Sequence, residues 1–361
     1  MTTVAPTSPG WTRTALTIRY VYFRGATWRA VVIVVLGGVL ATLLTIPLAS
    51  SVPAATPASA DTARTAWRQY IALAEVPSSW DGSTSECIPD TQSDAYRNGV
   101  IGRINVMRGL AGLEPVSLDP VFSAQAQRAA LMMDAADRLD HYPGREWPCF
   151  SSGGADAAAR SNLSVDPGDG DHIRSLMDDH GAANEAVGHR RWILYPSTRT
   201  MGVGATDTHQ ALWVVSDDLT NPPGPAWVGW PSSGYFPQQM LPHLSRRWSL
   251  SADDTATDFS SATVTVQGPA GSLPVTGLTP RSDYGNNTLV WSMPSLPEVA
   301  GRSRATYTVA VTGIVMDGRS TSHIYDVHLI DGNWVDVGAT DTTHTDDPQR
   351  TATGSLFFRV R

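Results

Sequence analysis

Lysine is missing from this chain: all 26 basic side chains among its 361 residues are arginines. That excludes chemistry built on an ε-amine, including a Schiff base, a P-loop lysine and a Ser-Lys dyad. Lysine codons are AT-rich, so the absence reflects genome composition before it reflects a site. Cysteine is scarce too. Cys87 and Cys149 are the only two, and neither has a second Cys or a His at short ligand spacing, which argues against a zinc site. No Gly-x-Ser-x-Gly elbow occurs, and Glu185 precedes His189 by four residues, the wrong register for a His-Glu-x-x-His helix. A net charge of −8 argues against nucleic acid as a partner.

Acidic residues are absent from the first 60 positions, which hold only Arg13, Arg19, Arg24 and Arg29. The total of −8 therefore divides into +4 for this segment and −12 for the rest. From Ala30 to Ala49 the chain is uncharged and mostly apolar. At about 1.5 Å per helical residue that run spans roughly 30 Å of hydrocarbon. Ala58-Ser59-Ala60 has the small-x-small form of a signal-peptidase site. Residues 1–60 read as a signal peptide or a retained signal anchor, the membrane partner if uncleaved, and either reading places the remainder outside the cytoplasm. Two cysteines in an exported chain predict a Cys87–Cys149 disulfide, which removes a cysteine nucleophile.

Spacing predicts a short helix over 61–75, with Trp67, Tyr70, Ile71 and Ala74 on one face, in an extension reaching residue 92. A second covers 94–111, where Val100, Ile104, Met107 and Leu110 share a face. A third opens at Asp119-Pro120, an N-cap followed by Pro at the first helical position, and runs to about Leu139. Gly- and Asp-rich chain from His141 to Asp171 reads as a long irregular connection. In it, Asp166, Asp169 and Asp171 miss the spacing of a calcium loop. Short helices over 171–179 and 188–194 and strands over 200–205 and 211–215 follow. Prolines between 221 and 245 forbid helix and mark a connector whose Trp227, Trp230, Tyr235 and Phe236 are expected to pack across a domain interface, with sugar binding as the alternative. Over 246–335 the period becomes two, as in Tyr307/Val309/Val311 and Tyr325/Val327/Leu329, the pattern of an immunoglobulin-like β-sandwich. Residues 336–361 are a Thr/Asp-rich tail.

Residues 93–220 resemble the CAP superfamily of cysteine-rich secretory, antigen 5 and pathogenesis-related 1 proteins, in its bacterial exported form. The resemblance rests on Asn105-Val106-Met107-Arg108, Leu118-Asp119-Pro120, Leu139-Asp140-His141 and, above all, Gly188-His189-Arg190-Arg191-Trp192-Ile193-Leu194-Tyr195-Pro196 followed by Met201-Gly202-Val203-Gly204. It implies an α/β fold, an α-β-α sandwich with a cleft built from two histidines and two acids. His141 and His189 match the histidines. The first acid belongs to a Gly-Glu-Asn motif that reads Arg160-Ser161-Asn162 here, so Ser161 stands in its place. Asp178, Asp179 and Glu185 are all near the second, and Asp179 is favoured. Two imidazoles and one carboxylate could ligate a divalent ion such as zinc. Arg190 and Arg191 read as surface arginines beside an acidic loop, with anion binding as the alternative.

The resemblance implies a binding module at the bacterial cell envelope, taking a lipid, a polymer or a protein, more than a shared reaction. Its rivals are a metal-assisted hydrolase of peptide or envelope polymer, with His141 and His189 as ligands, and a structural adhesin or spacer; separately, Ser161 with either histidine and an Asp would supply the components of a Ser-His-Asp triad.

Overall fold

The computed structural model describes residues 59–74, 76, 79–165, 171–216 and 224–335. The expected export segment before residue 59, the tail after 335, and Asp166 and Asp169 lie outside the described residues. No described helix is long and apolar enough to cross a membrane.

The first part contains helices α1 (Ala60–Ala74) and α2 (Asp94–Leu110), strand β1 (Ser117–Leu118), helices α3 (Pro120–Ala136) and α4 (Ser152–Arg160), strand β2 (Ser161–Val165), helices α5 (His172–Asp178) and α6 (Gly188–Ile193), and strands β3 (Thr200–Ala205) and β4 (His209–Trp213). The strands form one sheet in the order β1-β3-β4-β2. Its alternation sorts side chains to two faces. Met201, Val203 and Leu212 join Val100, Ile104 and Met107 of α2 and Ile173 and Leu176 of α5. Ala211, Trp213 and Leu163 join Ala126, Ala129, Ala130 and Met133 of α3 and Ala157 and Ala158 of α4. The result is an α-β-α sandwich.

Helix boundaries follow local chemistry. The Asp119 carboxylate caps α3 by accepting from the N–H groups of Val121 and Phe122 at 2.8 and 2.9 Å, and Pro120 costs the first turn no hydrogen bond. That helix stops at Asp137 in the left-handed conformation, short of the expected Leu139. On α1, Trp67 and Tyr70 are buried as expected, whereas Ile71 is exposed. Tyr70 instead donates to the Asp171 carboxylate, which also receives Arg103 and caps α5. The chain from 141 to 171, read as irregular, contains α4 and β2. Gly154, Ala157 and Ala158 are the buried residues of α4, and such small residues let it lie close against α3. Cys87 and Cys149 are joined in a disulfide.

Nine strands make up the second part: β5 (Trp227–Trp230), β6 (Gly234–Pro237), β7 (Arg247–Ala252), β8 (Thr263–Gly268), β9 (Gly271–Leu273), β10 (Thr276–Arg281), β11 (Thr288–Ser292), β12 (Arg304–Met316) and β13 (Arg319–Ile330). They form two sheets, β10-β11-β7-β5 and β6-β13-β12-β8-β9, antiparallel except where β6 runs parallel to β13. Asp317 and Gly318 both have positive φ, the mirror-image turn that closes a two-residue hairpin between β12 and β13. Strands β5 and β6 lie inside the stretch expected to be a connector. Their aromatics pack between the two sheets: Trp230 of β5 meets Phe236 of β6 edge to face, and Trp227 lies against Phe259 and against His323 of β13. The apolar cluster on the α2 face continues without interruption into Trp230, Trp248 and Trp291.

Gly202 and Gly204 let α3 lie directly on β3. A Cβ at Gly204 would fall 2.0 Å from the backbone N of Gln127, and that backbone cannot retreat without lifting the helix. Gly204→Ala is expected to lower the free energy of unfolding by about 3 kcal/mol, measured by urea denaturation. An unchanged midpoint would contradict the close contact.

Candidate functional site

His189 is aimed by its neighbours on both sides. The residue two before it, Val187, has a left-handed backbone, φ 45°, which is costly for a β-branched side chain. Asp179, also left-handed, ends α5. Its buried carboxylate accepts from the His189 backbone N–H at 3.0 Å and lies 2.7 Å from His189 Nδ1. A carboxylate partner fixes the proton on Nδ1, so the neutral ring carries its lone pair on Nε2. Asn162 Nδ2 donates to the His189 carbonyl at 3.0 Å, tying the start of α6 to β2.

His141 follows α3 and is exposed. Its Nδ1 lies 2.8 Å from the Ala158 carbonyl at the end of α4. A carbonyl can only accept, so His141 likewise carries its lone pair on Nε2. Both histidines and Asp179 border one open cavity of about 760 Å³. Its apolar walls include Leu139, Leu163 and Val165 from the first part of the chain, and Leu241 and Leu244 from the segment leading into β7, where His243 also faces it. Sequence spacing held no signal for these last three residues, because they reach the cavity through tertiary packing alone.

Arginines 190 and 191, read as surface residues, are buried and hold the two parts of the chain together. Arg190 has no exposed surface. It donates to the Met177 and Asp178 carbonyls at the end of α5, at 2.7 and 3.2 Å, and to the Arg247 carbonyl and Ser249 Oγ of β7, at 2.8 and 3.2 Å. Burial lowers its pKa to about 10, so it stays charged at neutral pH. Arg191 donates to Asp283 at 2.7 Å and to the Asn286 carbonyl at 3.0 Å. From the other side, Arg247 donates to the carbonyls of Asp179, Gly181 and Asn184.

The three candidate acids therefore have three different tasks. Asp179 orients His189. Asp178 accepts from the backbone N–H groups of Leu244 and Ser245 at 2.8 and 2.7 Å, fixing the far wall of the cavity. Glu185 is exposed, with Arg281 at 3.7 Å. Ser161 opens β2 opposite Trp213, is buried, and does not border the cavity; its Oγ makes no hydrogen bond among the described residues. It is not hydrogen-bonded to either histidine. Asp171 caps α5, and among the described residues no group of three or more His, Cys, Asp or Glu side chains is placed to hold a metal ion.

Asp179→Ala removes both acceptors of His189 and is expected to lower stability by about 2–3 kcal/mol, whereas Glu185→Ala should stay within about 0.5 kcal/mol of the parent. Urea denaturation of both variants measures this. Equal losses would contradict the assigned tasks.

A search of curated proteins finds no match. Among solved structures, the chain is similar to an extracellular protein containing a SCP domain from Bacillus anthracis, at 16% identity and a TM-score of 0.26, over 33% of this chain and 40% of that one. The chain thus spans less than half of that protein's length. The family model for the cysteine-rich secretory protein family matches residues 101–216, which hold His141, His189 and Asp179. Residues 101–216 are a CAP domain of the cysteine-rich secretory protein family.

Proposed function

We propose that this is an exported binding protein of the bacterial cell envelope, whose CAP cleft takes an apolar or amphiphilic envelope ligand. The observation that carries the reading is the open cavity of about 760 Å³, walled by leucines from both parts of the chain and edged by His141 and His189. Apolar walls with a few convergent polar groups are the ordinary composition of a ligand site. Export is supported by the basic, apolar first 60 residues and by the Cys87–Cys149 disulfide.

The family resemblance implies a cleft that could hold a divalent ion. His180, His243, Asp140 and Asp178 line the cavity beside His141 and His189, with Asp179 engaged in orienting His189, yet among the described residues no three His, Cys, Asp or Glu side chains are placed to hold one ion. Zinc sites that keep an open position ordinarily have three protein ligands. This donor set does not fit a resident metal, and the reading involves none.

The second part of the chain is read as an immunoglobulin-like sandwich that frames the cleft. Lettering β5 to β13 as A, A′, B, C, C′, D, E, F and G gives sheets in the order DEBA and A′GFCC′. That order matches the ABED and GFC arrangement of such domains, with C′ added.

A fluorescent long-chain fatty acid serves as the probe. Leu244→Asp and His141→Ala are each expected to weaken its capture by at least about tenfold; unchanged affinity in both variants would overturn the reading. In parallel, calorimetric titration with zinc should show no tight site in the wild type. Tight zinc binding lost in His141→Ala or His189→Ala would replace the amphiphile by a metal.

A further inference from the structure

Both cleft histidines offer an occupant the same atom. Nδ1 of His141 lies 2.8 Å from the Ala158 carbonyl, and Nδ1 of His189 lies 2.7 Å from the Asp179 carboxylate. Each of these acceptors holds a proton on Nδ1, so each neutral ring keeps its lone pair on Nε2, on the ring's other flank. Neither Nε2 has a hydrogen-bond partner among the described residues. An occupant can reach both rings. His141 is exposed, and the His189 side chain keeps 24% of its surface exposed, with an Nε2 that is not a buried atom. His180 and His243 border the cavity as well, and both are exposed and can turn either ring nitrogen to the same occupant.

Carboxylates add further acceptors. Asp140, Asp178 and Asp179 border the same cavity, and Arg174 is the single arginine among its described lining residues, with Nε already 3.6 Å from the Asp171 carboxylate. Arg190 lies behind Asp178 and Asp179 with no exposed surface, its donors directed to carbonyls and to Ser249. Residues 166–170, which follow Val165 in the chain and lie outside the described residues, read Asp-Pro-Gly-Asp-Gly and contain no base. An anionic headgroup would set its own lone pairs against these acceptors, and a headgroup that only accepts would leave the imidazole lone pairs unmatched. A hydroxyl avoids both costs by donating its O–H to Nε2 without bringing a charge. Resting on the amphiphile reading above, we infer that the cleft selects a neutral headgroup that donates hydrogen bonds, as the free hydroxyls of an acylglycerol do, through Nε2 of His141 and His189. A fatty acid meets this requirement through its protonated carboxyl alone.

Calorimetric titration of the full chain at pH 8 compares three amphiphiles of equal chain length: monodecanoylglycerol, methyl decanoate and decyl sulfate. The glycerol ester is expected to bind at least about 30-fold more tightly than the methyl ester, as two hydrogen bonds allow, and the sulfate more weakly than either. His141→Ala should remove about tenfold of the glycerol preference while leaving methyl decanoate within about twofold of the wild type, a split that misfolding does not produce. Equal affinity for the two esters, a sulfate that binds most tightly, an unchanged preference in His141→Ala, or parallel losses of both esters in that variant would each overturn the headgroup assignment and leave the amphiphile reading standing. Silence from all three, and from the fatty acid, would overturn both.

Discussion

One guanidinium, that of Arg190, sits where the last turn of α5, the start of α6 and strand β7 meet. Its burial is costly by itself, since removing a charge from water is offset only when every donor finds a good acceptor. Here the acceptors are the Ser249 hydroxyl and backbone carbonyls from both parts of the chain, two of them the unsatisfied carbonyls that any helix end presents. The charge also faces the negative end of α5 and the carboxylates of Asp178 and Asp179. Remove this contact and α5 loses its fixed position against the sandwich. With it would go the placement of Asp179 beneath His189 and of Asp178 against Leu244 and Ser245.

The consequence is that the cleft belongs to neither domain alone. Within Gly188-His189-Arg190-Arg191, successive side chains serve different masters: His189 faces the cavity, while Arg190 and Arg191 reach into the sandwich. Asp178 and Asp179 divide in the same way. A left-handed residue at the end of α5 lets two adjacent acids point to opposite duties, one toward the imidazole and one toward the loop that supplies Leu244. The CAP domain offers the histidines, and the sandwich closes the wall opposite them.

Much of the fold was legible because its signals are local. Asp119-Pro120 marks the start of α3 through cap chemistry that needs no tertiary partner. Val100, Ile104, Met107 and Leu110 mark the face of α2 by spacing. Helix α4 was not legible: its inner face is only Ala157 and Ala158 beside two glycines, and periodicity is read from larger apolar side chains. His141 and His189 could be picked out by their motifs and do border one cavity. The arginines were misread because an Arg is ordinarily exposed, and the carbonyls that bury Arg190 and Arg191 lie as far as 95 residues along the chain. Ser161 was equated with an acid by motif position, yet its place at the start of β2, opposite Trp213, keeps it out of the cavity wall.

Scanning calorimetry tests the central claim directly. If Arg190 couples the CAP domain to the sandwich, the full chain should show one cooperative transition, and Arg190→Ala should split it into two, with the first well below the parent midpoint because the exposed carbonyls lose their donor. Two separate transitions in the wild type, or a single unshifted one in the variant, would contradict the account.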